Sequence, residues 1–170
     1  SVALPMYYSG RVTTLGRWFE RFDDDGLLEQ FPAVAVHGAA FYATTGRPQL
    51  AERWLAAAAR SDGTAALPDG SYVAAVLSVL RAMFCHDGVA RMLADAGDAV
   101  AGLPDHSPWR CVALLAQRVA HALRGEGDQA DAALAFAADA AAETGFAEMR
   151  VVALVERALV AEAAGDLTAA

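Results

Sequence analysis

Two stretches of this 170-residue chain carry nearly the same phrase. Gly10-Arg11-Val12-Thr13-Thr14-Leu15-Gly16-Arg17-Trp18-Phe19 aligns with Gly46-Arg47-Pro48-Gln49-Leu50-Ala51-Glu52-Arg53-Trp54-Leu55 at an offset of 36 residues. Turn glycines recur at Gly88, Gly127 and Gly165, so the successive spacings are 36, 42, 39 and 38 residues. A period in that range belongs to repeats of two antiparallel helices, each pair too thin to bury a core without its neighbour. The expected fold is therefore all-α: a right-handed α-solenoid of stacked helical hairpins. It is expected to run as one array over residues 1–170, cut at both ends, with repeat turns near Gly10, Gly46, Gly88, Gly127 and Gly165. The competing architecture is a closed helical bundle in which the glycine spacing is coincidental; the doubled Gly-Arg…Arg-Trp phrase weighs against it.

Composition supports helices. Alanine supplies 42 residues, lysine none, and all 13 basic residues are arginine. Alanine is the best helix former and lets helices approach closely. Its abundance beside the missing lysine fits a GC-rich bacterial source. The formal charge of −8 and the scattered arginines argue against direct contact with nucleic acid or with an anionic membrane. No apolar run reaches a membrane span, since Arg81 halts Val73 to Leu80 and Glu156, Arg157 and Glu162 interrupt Val151 to Ala164. A cytoplasmic location is expected. Cys85 and Cys111 lack CxxC spacing and read as small core or groove residues in a reducing compartment.

Prolines and turn residues place the helices. The pattern predicts them over 33–45, 48–60, 71–87, 89–101, 108–124, 129–143 and 147–164. Pro32, Pro48 and Pro108 suit first turns, Ser107 suits an N-cap, and Pro68-Asp69-Gly70-Ser71 suits a turn. In the last helix Val151, Val152, Leu154, Val155, Leu159 and Val160 wrap more than one face. A helix with so broad an apolar surface expects a partner, so self-association as a homodimer through this terminal repeat is expected.

Around Gly46, Ala39, Tyr42, Ala51, Leu55 and Ala58 stand at the small and bulky positions of the tetratricopeptide pattern; around Gly127, Ala120, Leu123, Ala132 and Phe136 do so. The third unit departs from it, with Leu93 where a small residue belongs. The looser periods, with Ser107-Pro108-Trp109-Arg110 and Gly127-Asp128…Ala132, resemble the helical-repeat domain of large ATP-binding LuxR-type transcription regulators, the maltose-regulator type. That resemblance covers nearly the whole chain. It implies an effector-sensing or protein-interaction segment without enzymatic activity. A small-molecule inducer or a regulatory protein would lodge on the concave face and change the array. ATP and DNA would be bound by other modules of a parent protein. The chain has no lysine for a phosphate-binding loop, so no cofactor is expected in this segment. The alternative is a general tetratricopeptide-type adaptor with no transcriptional role.

Tetratricopeptide spacing puts Val36, Ala40, Thr44, Ser78, Ala82, Cys85, His86, Gln117, His121, Arg124, Val155, Leu159 and Glu162 on the concave face. Of these Ser78, Cys85, His86, Gln117, His121, Arg124 and Glu162 are the candidate binding residues. No catalytic set is expected, because neither cysteine comes with an orienting acid or an oxyanion site in the sequence. No metal site is expected either, since the histidines lack i, i+4 ligand pairing. Trp18 and Trp54, equivalent by repeat, are expected to pack inside their hairpins, with Arg17 and Arg53 bracing turns or forming surface ion pairs.

Overall fold

The computed structural model describes Met6, residues 9–143 and residues 147–163, the side chains of residues 147, 148, 161 and 163 excepted. It is all-helical: α1 (Val12–Asp24), α2 (Pro32–Thr44), α3 (Pro48–Ala59), α4 (Val73–Phe84), α5 (Gly88–Gly102), α6 (Pro108–Leu123), α7 (Gly127–Glu143) and α8 (Ala147–Ala163). Among the described residues there is no strand, only an isolated bridge between Ala66 and Tyr72. The chain divides into two compact units, Ser1–Leu80 and Arg81–Ala170, with the boundary inside α4.

Local chemistry sets the helix ends. Pro32, Pro48 and Pro108 lie in first turns, where the missing N–H costs nothing. The Ser107 hydroxyl accepts from Trp109 N–H at 3.3 Å, capping α6. The helix expected over 71–87 is shorter at both ends. Ser71 is held in the preceding turn, its Oγ donating to Asp69 Oδ2 at 2.8 Å. At the other end Cys85 takes a left-handed conformation, φ 50°, which a helix cannot continue through.

One turn recurs. At Gly46 (φ 73°) the glycine N–H bonds to Ala43 O at 3.4 Å and Arg47 N–H to Tyr42 O at 2.9 Å. At Gly125 (φ 76°) the glycine N–H bonds to Ala122 O and Glu126 N–H to His121 O, both at 3.0 Å. These bonds absorb the last carbonyls of the helix, and the positive φ makes the position glycine's. The fourth turn glycine is thus Gly125 and not Gly127, which begins α7. The third turn differs again, Gly88 opening α5 after the left-handed Cys85. Gly165 lies outside the described residues.

Measured from Gly125 instead of Gly127, buried positions of α7 match repeat positions of α3. Ala130, Leu134 and Ala137 follow Gly125 at the intervals by which Ala51, Leu55 and Ala58 follow Gly46, and all three are buried. Ala132 and Phe136, expected inside, are exposed instead.

In the first unit α2 is apolar on nearly every face, His37 and Thr44 excepted, and buries Ala35, Val36, Gly38, Ala39, Phe41 and Tyr42. Gly38 is required by its neighbour: a Cβ there would lie 2.0 Å from Trp54 Cε3. Trp54 is wholly buried and meets Phe19 and Tyr42 edge-on, at 5.2 and 5.4 Å between ring centroids. Its Nε1 finds no hydrogen-bond partner, a cost of about 1–3 kcal/mol. Burial of an indole contributes about 4–6 kcal/mol and outweighs it. Trp18 does not share this role. It is 52% exposed, because the buried stripe of α1 runs through Leu15 and Phe19 and leaves Trp18 one position to the side. Arg53 pairs with Asp23, Arg47 with Glu20 at 3.1 Å and Arg60 with Glu29 at 2.8 Å. Such exposed pairs contribute about 0–1 kcal/mol each.

His37 sits half-buried in α2, and its Nδ1–H donates to Ala33 O at 2.7 Å. Burial holds its pKa below the ordinary value of 6.5.

The second unit is held by small residues. Cys111, Leu114, Leu134, Ala137, Ala138, Ala140, Ala141 and Ala153 form one core cluster, drawn from α6, α7 and α8. Ala82, Met92, Ala96, Ala116 and Ala120 form another from α4, α5 and α6. Alanine against alanine brings helices to close approach.

Two predictions follow from this geometry. Gly125→Ala should destabilise by about 1–2 kcal/mol, since alanine must enter the left-handed region. Gly127→Ala, at the first position of α7 where φ is not left-handed, should be neutral or stabilise by up to about 1 kcal/mol. Urea unfolding of the two variants checks the turn assignment, and the reverse order refutes it. For His37 the unfolded chain binds its proton first as pH falls. Its contribution to stability is therefore complete above pH 6.5 and declines on acidification below it. His37→Gln should flatten melting temperature between pH 6.5 and 5 relative to wild type.

Candidate functional site

The structure separates the candidate residues by what each one touches. Ser78, in the first unit, is half-buried and its hydroxyl donates to Ala74 O of its own helix at 3.3 Å. Val36 and Ala82 are wholly buried and line no open face. In the second unit Cys85 packs beside the Ala82–Met92–Ala96–Ala116–Ala120 cluster. His86 is exposed and stacks on Phe84, 5.6 Å between centroids at 18°. Gln117 reaches across to α5, its Nε2 3.8 Å from the point where a Cβ on Gly97 would stand. Glu162 is exposed on α8.

His121 and Arg124 are brought together by a residue outside the candidate set. His121 Nδ1–H donates to Glu126 Oε2 at 2.7 Å, and Arg124 Nε donates to Glu126 Oε1 at 2.7 Å. The donors keep the Glu126 carboxyl below its usual pKa, His121 first and Arg124 second. The sequence explains the meeting: His121 is the residue whose carbonyl receives the amide of Glu126 across the Gly125 turn. The same turn at Gly46 sets the Arg47 guanidinium 6.0 Å from the centroid of the Tyr42 ring. So the turn that reverses the chain also assembles a polar cluster at the end of α6.

A second polar contact lies one turn back along α6. Arg118 Nη2 pairs with Glu156 Oε2 of α8 at 3.1 Å. The Nε of Arg118 is buried without a partner. Neither residue was legible as a site from repeat spacing. Each has polar neighbours in its own helix, Gln117 beside Arg118 and Arg157 beside Glu156, so neither stands out in the sequence. Together Arg118, His121, Arg124, Glu126 and Glu156 offer directional hydrogen bonding and charge of both signs.

Cys111 differs from Cys85. It is wholly buried, its thiol donates to Pro108 O at 3.0 Å, and burial pushes its pKa up to about 12. Its thiolate is scarce at neutral pH, so it is a core residue and a poor nucleophile.

In the first unit an open cleft of about 390 Å³ is lined by Asp23, Gly26, Leu28, Glu29, Gln30, Arg53, Ala57 and Arg60. Its two arginines are the ones paired with Asp23 and Glu29, so each already has a counter-charge. Among the described residues no three His, Cys, Asp or Glu side chains gather as metal ligands, and no helix is long and apolar enough to cross a membrane. No protein-family model, curated protein or solved structure matches the chain.

The two thiols give a direct check. A thiol-reactive probe at pH 8 should label Cys85 in the folded protein and leave Cys111 unlabelled until denaturant is added. Peptide mapping by mass spectrometry reads this out, and equal labelling of both in the native state would contradict the buried placement of Cys111.

Proposed function

We propose that this chain is an effector-sensing and protein-interaction segment of helical-hairpin repeats, of the kind found in LuxR-type transcription regulators. In this reading α6 and α8 are the first helices of consecutive hairpins, and a ligand that touches both changes how they sit. The observation that supports it best is the Arg118–Glu156 pair, which ties those two helices directly, side chain to side chain. The neighbouring His121–Glu126–Arg124 cluster adds polar groups at the end of α6. A ligand shifts such an arrangement only by binding one form better than the other. ATP and DNA contacts would belong to other modules of a parent protein in the cytoplasm.

A second reading, a general protein-interaction adaptor, is favoured by α8. Val151, Val152, Leu154, Val155 and Leu159 are each more than two-fifths exposed on one helix. Isolated exposed apolar residues are ordinary, but a run of them on one helix marks a contact surface.

Thermal melts against a panel of small metabolites test the first reading. A genuine effector at 100 times its Kd stabilises by about 2.7 kcal/mol, enough for a clear rise in melting temperature. No rise with any compound would contradict sensing by this segment. For α8, sedimentation should show reversible self-association that Val155→Glu with Leu159→Glu abolishes. A clean monomer at high concentration would count against a dimer through this helix.

A further inference from the structure

We infer that Arg118 anchors an anion site between α6 and α8, and that a ligand carboxylate or phosphate takes its Nε–Nη edge by displacing Glu156. The inference rests on the reading of the α6–α8 surface as the sensing face, and it names the chemistry that face selects.

A guanidinium presents two parallel N–H groups on one edge, matched to two oxygens of a carboxylate or phosphate. Glu156 meets Arg118 at Nη2, at 3.1 Å, while Nε is buried and unpaired. The edge is therefore half used. The Arg118 and Glu156 side chains are 17% and 38% exposed, so the charge is partly withdrawn from water and a better-fitted acceptor gains more there than at an open surface. Glu126 does not fill the open position: its oxygens accept from His121 and Arg124, and the Arg118 Nε has no partner.

Displacement has a mechanical consequence. Glu156 belongs to α8 and Arg118 to α6. An anion on Arg118 removes the charge tie between those helices, so it binds the untied arrangement more tightly than the tied one. The site thus reports occupancy as a change in how α8 is held, which is what a sensing segment needs.

The test uses the whole chain, isotope-labelled, at constant ionic strength set with chloride. Inorganic phosphate is titrated in one arm and acetate in another, with amide shifts followed by NMR. The expected result is saturable shifts centred on α6 and α8. Saturation by phosphate alone supports a phosphate-bearing ligand, and saturation by acetate alone a carboxylate-bearing one. Glu156→Gln removes the competing charge and should tighten binding about tenfold or more. Arg118→Gln should abolish it. Three results would overturn the site: no saturable shift in wild type or in Glu156→Gln, no tightening by Glu156→Gln, or unchanged binding by a folded Arg118→Gln. If one of those three results comes with an uncharged panel compound that raises the melting temperature equally in wild type and Arg118→Gln, the anion site falls and the sensing role stands.

Discussion

A helix that ends on a left-handed residue has to turn back, and that constraint governs this chain. At Gly46 and Gly125 the positive φ lets two amides fold under the helix end and bond to its last carbonyls. The next helix then starts within two residues and lies against the one before. The turn also fixes which side chains face each other. The residue whose carbonyl is capped and the residue just past the glycine become neighbours: Tyr42 and Arg47 in one hairpin, His121 and Glu126 in the other. The His121–Glu126–Arg124 cluster of the second unit is therefore a product of the same backbone geometry that builds the fold.

Between the turns, close approach of small residues does the packing. Gly38 exists to admit the face of Trp54, and the second unit is built largely on alanine. Alanine contributes little apolar area per contact, so such a core depends on many shallow contacts along each helix. A helix that, among the described residues, packs mainly on one side is then left with apolar surface to spare. On α8, Ala153 is buried while Val151, Val155 and Leu159 are exposed. The polar tie from Arg118 to Glu156 stands out in that setting, because it is a specific contact in a region of otherwise generic packing.

Much of the helical content was legible in the sequence. Prolines in first turns fixed the starts of α2, α3 and α6 to within a residue, and a broad apolar pattern marked α8. The errors have physical causes. Gly125-Glu126-Gly127 offers two glycines where one turn is needed, and only backbone φ distinguishes the one that reverses the chain. Repeat alignment equated Trp18 with Trp54, but Phe19 is the residue that packs on Trp54. Repeat spacing named His121 and Arg124 without Glu126, since the link between them depends on a turn whose position was read two residues late. Arg118 and Glu156 were missed because their meeting depends on how α6 and α8 lie together, which no local pattern encodes.

Native-state hydrogen exchange tests the central claim most directly. If the glycine reversals are integral to the folded hairpins, the amides of Arg47 and Glu126, which bond back to Tyr42 and His121, open only when the hairpin does. Their exchange free energies should then match those of buried helix amides such as Ala39 and Ala137. Exchange of both at the rate of an exposed loop would show that the turns close nothing, and the account of the fold would fail with them.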